Sequence, residues 1–393
     1  MKEAIKNLAI AALRRRARKQ PSAEWKLRRA LFLQYQSPLG AVVNAAPMFE
    51  AFKKAYAGLH ITVACHKSNA QIFECDPWID RIVPTENPQR HFFRALIGLL
   101  KARRAGAGYD CVIADCWNQQ IQIAILGMIS GARFRVGFSY SKLLDHCLNY
   151  DPTAGVLASN LQLATVFGAP FQFISPKLYF SDADLVTTRS FLKRSSILDT
   201  DRIVVFATQF SGGFPKKREW RAEYFAELAD YLIAQHGVKI LFLGTAPEGA
   251  AIEQIRSLMK FESYSAAGAF TIRELSALLC HCELAVTLDS GPMHVCRASE
   301  LPTVVIARPW QPLKEWLPWD VKNMRILIKE DWVDRSRRDA SFVIPDTIDE
   351  ISVREVIGSV EELMVSYPST HETRQKRIAA RLKRESAYSD HAR

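Results

Sequence analysis

The sequence predicts an α/β protein of two Rossmann-like, doubly wound parallel-sheet domains facing a cleft, with helical basic extensions at both ends. Three observations carry this. Short apolar runs alternate with longer segments of helical period, in two successive series. A stretch with two prolines and no helical period, residues 169–183 (APFQFISPKLYFSDA), separates the series. The 393 residues also exceed the roughly 100–200 of one domain.

Residues 1–29 read as a basic amphipathic leader. Ile5, Leu8, Ala9, Ala12 and Leu13 recur at helical spacing among Lys2, Lys6, Arg14, Arg15, Arg16, Arg18 and Lys19, and Pro21 ends the pattern. Such a helix suits an anionic membrane surface; a solvated N-terminus explains it equally well. The first domain, 30–175, opens with the apolar run 30–36 (ALFLQYQ), then Ser37-Pro38-Leu39-Gly40 and one helical stretch to about Gly58. Strands are expected at 60–65, 81–83, 110–115 and 134–138, and helices at 92–104 and 119–129. In the second domain, 176–345, strands are expected at 202–207, 238–243, 284–288 and 303–307, with helices at 222–235, 247–259, 272–280 and 292–298. Residues 346–393 read as helices with a basic tail. Sheets of this kind bind ligands beyond the carboxyl ends of their strands, so the cleft is the expected site.

Charge placement limits the partners. The formal charge is +11, but residues 1–30 carry a net +8 and residues 371–393 a net +4, which leaves the body at −1. A nucleic-acid binder needs its basic stripe across the folded body, so no nucleic acid is expected; contact of the two ends with an anionic inner membrane is. No stretch reaches the ~18 consecutive apolar residues of a membrane span. Residues 14–19 are basic where a secretion signal would be most apolar. Eight cysteines show no paired C-x-x-C spacing, and Cys280-His281-Cys282 stands alone. Free buried thiols in the cytoplasm are the expectation.

The sharpest motif is Leu288-Asp289-Ser290-Gly291-Pro292-Met293-His294, between a buried strand and a helix. Gly291 permits a tight turn, and Pro292 suits a first helical turn, where its missing N–H costs nothing. The helix N-terminus then offers a diphosphate-sized anion site, bracketed by Asp289 and His294. A plain Asp or Ser cap accounts for Asp289 or Ser290, but not for His294 one turn further in.

From this motif outward the sequence resembles glycosyltransferase family 9, which includes the lipopolysaccharide heptosyltransferases of the two-domain GT-B fold. Leu301-Pro302-Thr303-Val304-Val305 continues the likeness downstream. Upstream, Gly268-Ala269-Phe270-Thr271 with Glu274 to Leu279, the turn Leu243 to Glu248, and Thr208 with Lys217-Arg218-Glu219-Trp220 match family segments. Ser37 to Pro47 and Tyr109 to Asp115 fit as well, so the resemblance covers about residues 30–310. It implies a donor site of Thr208, Lys217, Glu248, Phe270, Asp289, Ser290 and Gly291, with Gly40 on the acceptor side. Arg218 and His294 would stabilise the charge that develops on the β-phosphate. Arg218 stands at the family's lysine position, keeping the charge but forking its donors.

The resemblance further implies an inverting, metal-independent enzyme with no cofactor. It would move a heptose from ADP-heptose to a lipopolysaccharide-core or similar envelope saccharide. Two Asp-x-Asp sequences, 182–184 and 199–201, are expected to be a helix cap and a turn rather than a metal site. One departure stands out. Where the family has Leu-Gly-Asp, with the aspartate as presumed base, this chain has Leu39-Gly40-Ala41, and alanine takes no proton. Asp115 is the nearest candidate for a relocated base, with a helix cap as its plainer role. The alternative is a non-catalytic nucleotide-sugar-binding homologue.

Overall fold

Strand-length apolar runs rich in β-branched residues, each followed by a longer amphipathic segment, give β-α repeats in both halves of the chain. The computed structural model describes residues 27–35, 38–104, 108–138, 143–209, 219–308, 315–318, 321–329 and 348–382. The leader 1–26, Lys217 and Arg218, and the basic tail beyond 382 lie outside these residues. The chain divides into two units, Met1–Pro176 and Lys177–Arg393.

In the first unit the strands are β1 (Arg29–Gln34), β2 (His60–His66), β3 (Arg81–Thr85), β4 (Cys111–Ala114), β5 (Phe134–Gly137) and β6 (His146–Cys147). Their order is β3-β2-β1-β4-β5-β6, all parallel. The helices are α1 (Leu39–Ala45), α2 (Pro47–Ala55), α3 (Lys67–Phe73), α4 (Phe92–Arg104), α5 (Ile121–Ile129) and α6 (Val156–Gln162). Period-2 alternation splits β1 between two cores: Leu31 and Leu33 join Val112, Leu99 and Leu126, while Phe32 meets Phe49 and Phe52 edge-on at 5.1 and 5.2 Å.

The second unit repeats the plan with β7 (Ile203–Ala207), β8 (Lys239–Leu243), β9 (Tyr264–Ser265), β10 (Leu284–Leu288), β11 (Thr303–Ile306) and β12 (Met324–Leu327). Its order is β12-β11-β10-β7-β8-β9, so each sheet reverses direction between its first and fourth strands. The helices are α7 (Asp182–Arg194), α8 (Ala222–His236), α9 (Gly249–Leu258), α10 (Ile272–His281), α11 (Gly291–Ala298), α12 (Val353–Ser366) and α13 (His371–Ala379). Val356, Val360 and Leu363 of α12 complete the core around Phe206, Phe242 and Val286.

Several expectations change. The single helix to Gly58 is two, α1 and α2, because Pro47 has no N–H to continue the first ladder and instead opens the second helix. Helices α3 and α6 and strands β6, β9 and β12 carry no periodic signal long enough to read. The C-terminal arginines are not all a solvated basic surface. Arg374 donates to the carbonyls of Asp199 and Asp201 (both 3.1 Å), Arg377 to Cys282 O (2.9 Å), and the wholly buried Arg381 to Ala298 O at the end of α11 (2.8 Å). All eight cysteines are free thiols, and seven are buried. No helix among the described residues is long and apolar enough to cross a membrane.

Candidate functional site

In a doubly wound sheet the ligand crevice opens at the carboxyl ends of the strands where the order reverses. In the second unit that point lies between β7 and β10. Ala207 is in register with Thr287 on one side and Leu243 on the other. The loops after β9, β8, β7 and β10 therefore stand side by side along one sheet edge. Phe270, Glu248, Thr208 and the Asp289–His294 block, far apart in sequence, belong to those four loops.

The loop after β10 leads into α11. Ser290 occupies the N-cap position in extended backbone, but its hydroxyl turns back toward Leu288 O (3.4 Å) and caps nothing. Pro292 falls in the first turn and contributes no donor. The N-cap side chain thus leaves the helix N-terminus uncapped, unlike those of α7, α10 and α12, each closed by a reciprocal capping box. Asp289 is half-buried, its N–H held by Ile306 O at 3.3 Å. His294 is buried, with its ring edge-on to Trp316 at 5.9 Å. Burial foremost, and then the charge of Arg297, push its pKa down to about 3. At neutral pH it is an uncharged imidazole, able to donate an N–H but carrying no charge.

The two neighbouring loops are tied together. Glu248 accepts the Thr245 N–H at 2.6 Å in a capping box that closes the turn after β8. Gly268 donates to Gly244 O at 2.9 Å with φ +70°; a Cβ there would come within 3.0 Å of the Ala246 backbone. This close approach brings the Glu248 turn against the loop that carries Phe270, whose ring packs on Phe191 at 4.8 Å. Thr208, buried directly after β7, accepts from Gln209 Nε2 at 3.3 Å. Lys217 and Arg218 lie outside the described residues. Trp220, two residues beyond Arg218, is fixed in the core edge-on to Phe225 at 4.9 Å and donates to Ile351 O at 2.8 Å.

The reversal point of the first unit is built differently. Asp115, 1% exposed, follows β4 and stands next to Gln34 at the end of β1. Its Oδ1 accepts the N–H groups of Trp117 and Asn118, both at 2.8 Å. Its Oδ2 accepts from Asn118 Nδ2 at 2.8 Å and from Gln34 Nε2. Burial, the largest influence, raises its pKa against these four hydrogen bonds. Four donors fill about the whole acceptor capacity of a carboxylate, so Asp115 closes a turn and has no lone pair left for an acceptor proton. Asn118 Oδ1 in turn accepts the Tyr35 N–H (3.0 Å), and Asn160 links Cys116 N (3.0 Å) to Asn44 O of α1 (3.3 Å). Gly40 and Ala41 are buried in the first turns of α1. The sequence reading missed Gln34, Asn118 and Asn160; a polar residue ending an apolar strand run, as Gln34 does, was the signal.

The sequence profile of glycosyltransferase family 9 (heptosyltransferase) matches residues 99–341. The chain belongs to glycosyltransferase family 9. Lipopolysaccharide heptosyltransferase 3 of Escherichia coli is 23% identical over 83% of this chain and 97% of its own length. The lipopolysaccharide core heptosyltransferase OpsX of Haemophilus influenzae is 24% identical over 37% of this chain, a match spanning 45% of that protein. Among solved structures, a family 9 glycosyl transferase from Veillonella parvula superposes with a TM-score of 0.76 at 22% identity, covering 87% of this chain and 99% of that one. The E. coli ADP-heptose lps heptosyltransferase II gives 0.68 at 19% identity, covering 86% and 100%. These likenesses establish the two-domain α/β fold of the GT-B glycosyltransferases.

The Asp-x-Asp sequences have ordinary structural roles in this fold. Asp184 forms a capping box with Ser181 and an ion pair with Arg273 at 3.1 Å, and Asp201 accepts the Leu198 N–H in a turn.

Proposed function

We propose that this chain is an inverting glycosyltransferase that moves a heptose from ADP-heptose to a lipopolysaccharide-core or similar envelope saccharide. The observation that carries the reading is the row of four loops on one sheet edge, centred on a helix N-terminus that its N-cap residue, Ser290, does not cap. Cleaving the bond between the anomeric carbon and the diphosphate leaves negative charge on the β-phosphate. The Gly291 N–H, the α11 dipole and the neutral His294 donor supply the stabilisation, joined by Lys217 and Arg218 from the loop after β7. Thr208 takes a phosphate oxygen, Asp289 and Glu248 take hydroxyls of the ribose or sugar, and Phe270 lies against the nucleotide. On this reading the reaction needs no metal, because N–H groups and cations meet the phosphate charge; that Asp184 is engaged by Ser181 and Arg273 supports it. The names of the family 9 relatives support the heptose and the envelope acceptor.

A second reading has its own observation. Ala41 is 2% exposed at the family's aspartate position, and Asp115 is filled by four donors, so neither of these two positions offers a proton acceptor. On this reading the chain binds the donor without transferring it. Incubation with ADP-heptose and heptose-deficient core acceptors in EDTA, with products followed by mass spectrometry, separates the two. Transfer is the expected result. Tight donor binding with no transfer across the acceptor panel establishes the second reading, and absence of donor binding refutes both. If transfer is slow and Ala41→Asp accelerates it while Asp115→Asn does not, the missing base is what limits the rate. General-base catalysis is worth about 10²–10⁴-fold, so a restored base is easily detected.

A further inference from the structure

We infer that the exposed face of α4 in the first unit docks on an anionic bilayer surface. The helix has two sides of opposite character. Ala95 and Leu99 are buried in the core. Gly98 lies so close to β3 that a Cβ would sit 2.7 Å from Thr85 Cγ2. On the opposite side, Phe93 is 76% and Ile97 52% exposed, one turn apart, so their rings and methyls share one patch of surface. Phe93 is steadied edge-on by Phe92 at 5.7 Å.

Charge selects the occupant. Between Asn87 and Tyr109 there are five basic residues and no acidic one, and Arg90, Arg94 and Lys101 are exposed around the apolar pair. The neighbouring acid, Glu86, is paired with Lys67 at 2.8 Å. An exposed aromatic and a branched aliphatic ringed by cations is the pattern that inserts shallowly at a headgroup boundary while the cations meet anionic lipid. In a right-handed β-α-β crossover, the helix that follows β3 starts at the carboxyl edge of the sheet. Phe93, in its first turn, therefore lies at the same edge as Tyr35 and Asp115, where a lipid-borne saccharide acceptor would be presented. The inference rests on the proposed function only for that acceptor. Donor binding, measured in the same variants, tells failure of one from failure of the other.

The test is flotation of the full chain with vesicles of phosphatidylglycerol and phosphatidylcholine in equal parts, and with phosphatidylcholine alone. Wild type should float with the anionic vesicles. Phe93→Ser/Ile97→Ser should weaken that binding about tenfold or more, and Arg94→Glu/Lys101→Glu should do the same with a steeper salt dependence. Both variants should keep the wild-type melting temperature and ADP affinity, because all four side chains are exposed. Wild type that ignores anionic vesicles overturns the inference, as does undiminished binding by Phe93→Ser/Ile97→Ser. A change of oligomeric state in that variant, with vesicle binding intact, assigns the face to a second copy and overturns it equally.

Discussion

The two sheets share one strand order, yet their reversal points are built for opposite ends. In the first unit, Asp115 is sealed by Gln34, Trp117 and Asn118, whose N–H groups fill both of its oxygens. In the second, Ser290 declines to cap α11, Asp289 is half-buried and His294 is held neutral at the helix start. The same topology yields a closed polar turn in one place and, in the other, a helix end whose N-cap side chain does not cap it. The difference lies in what the loop side chains do with the backbone N–H groups: donated to the Asp115 carboxylate they stabilise the fold, whereas Ser290 takes none of those at the start of α11, which the proposed function assigns to the donor phosphate.

Substitutions can break this contrast. The largest effect is expected at the sealed corner. Asp115→Ala removes the acceptor for four buried donors and should lower stability by about 3–5 kcal/mol in denaturant unfolding, with ADP affinity retained. A loss below about 1 kcal/mol would show that the corner is not closed. At the open corner the order inverts: His294→Ala should weaken ADP binding about 10–100-fold, or about 1.4–2.7 kcal/mol, while unfolding remains cooperative. Calorimetric titration showing unchanged affinity would remove His294 from the site.

The corners also differ in the sign of their pH dependence. His294 is depressed to about 3 and His281, at the far end of α10 and outside the corner, to about 4, chiefly by burial, against about 6.5 in an unfolded chain. The unfolded state then takes up protons first. Their contribution is complete above about pH 6.5 and is lost as pH falls toward 4 and then 3, at up to about 1.4 kcal/mol per pH unit for each group. Asp115 acts in the other direction, because burial raises its pKa and its contribution falls as pH rises through the carboxylate range. Melting temperatures between pH 7 and 4 should fall, and His294→Phe should flatten the slope; an unaltered slope would mean His294 is not the titrating group. The smallest effect compares two N-cap serines. Ser181→Ala should cost about 1 kcal/mol and Ser290→Ala only a few tenths, since only Ser181 caps its helix. Equal costs would show that Ser290 caps after all.

Much of this was legible in the sequence where local signals coincide. The Leu288–His294 block joins a five-residue apolar strand, a glycine, a proline and a histidine at fixed spacing, and each acts locally. What was not legible is what folding brings together. Gln34 and Asp115 are 81 residues apart, and nothing local to either announces the other. Arg381 reads as one more charge in a basic tail, yet its guanidinium donates to the last carbonyl of α11. The neutrality of His294 likewise depends on burial that only the packed unit supplies.

The central claim is that the open corner of the second unit, and not the sealed corner of the first, receives the nucleotide diphosphate. Calorimetric titration of ADP into wild type, Asp289→Ala and Asp115→Asn, all in EDTA, tests it directly. The account predicts wild-type affinity in Asp115→Asn and about a tenfold or greater loss in Asp289→Ala. Unchanged binding in Asp289→Ala, or binding lost in Asp115→Asn from a protein that remains folded, would contradict it.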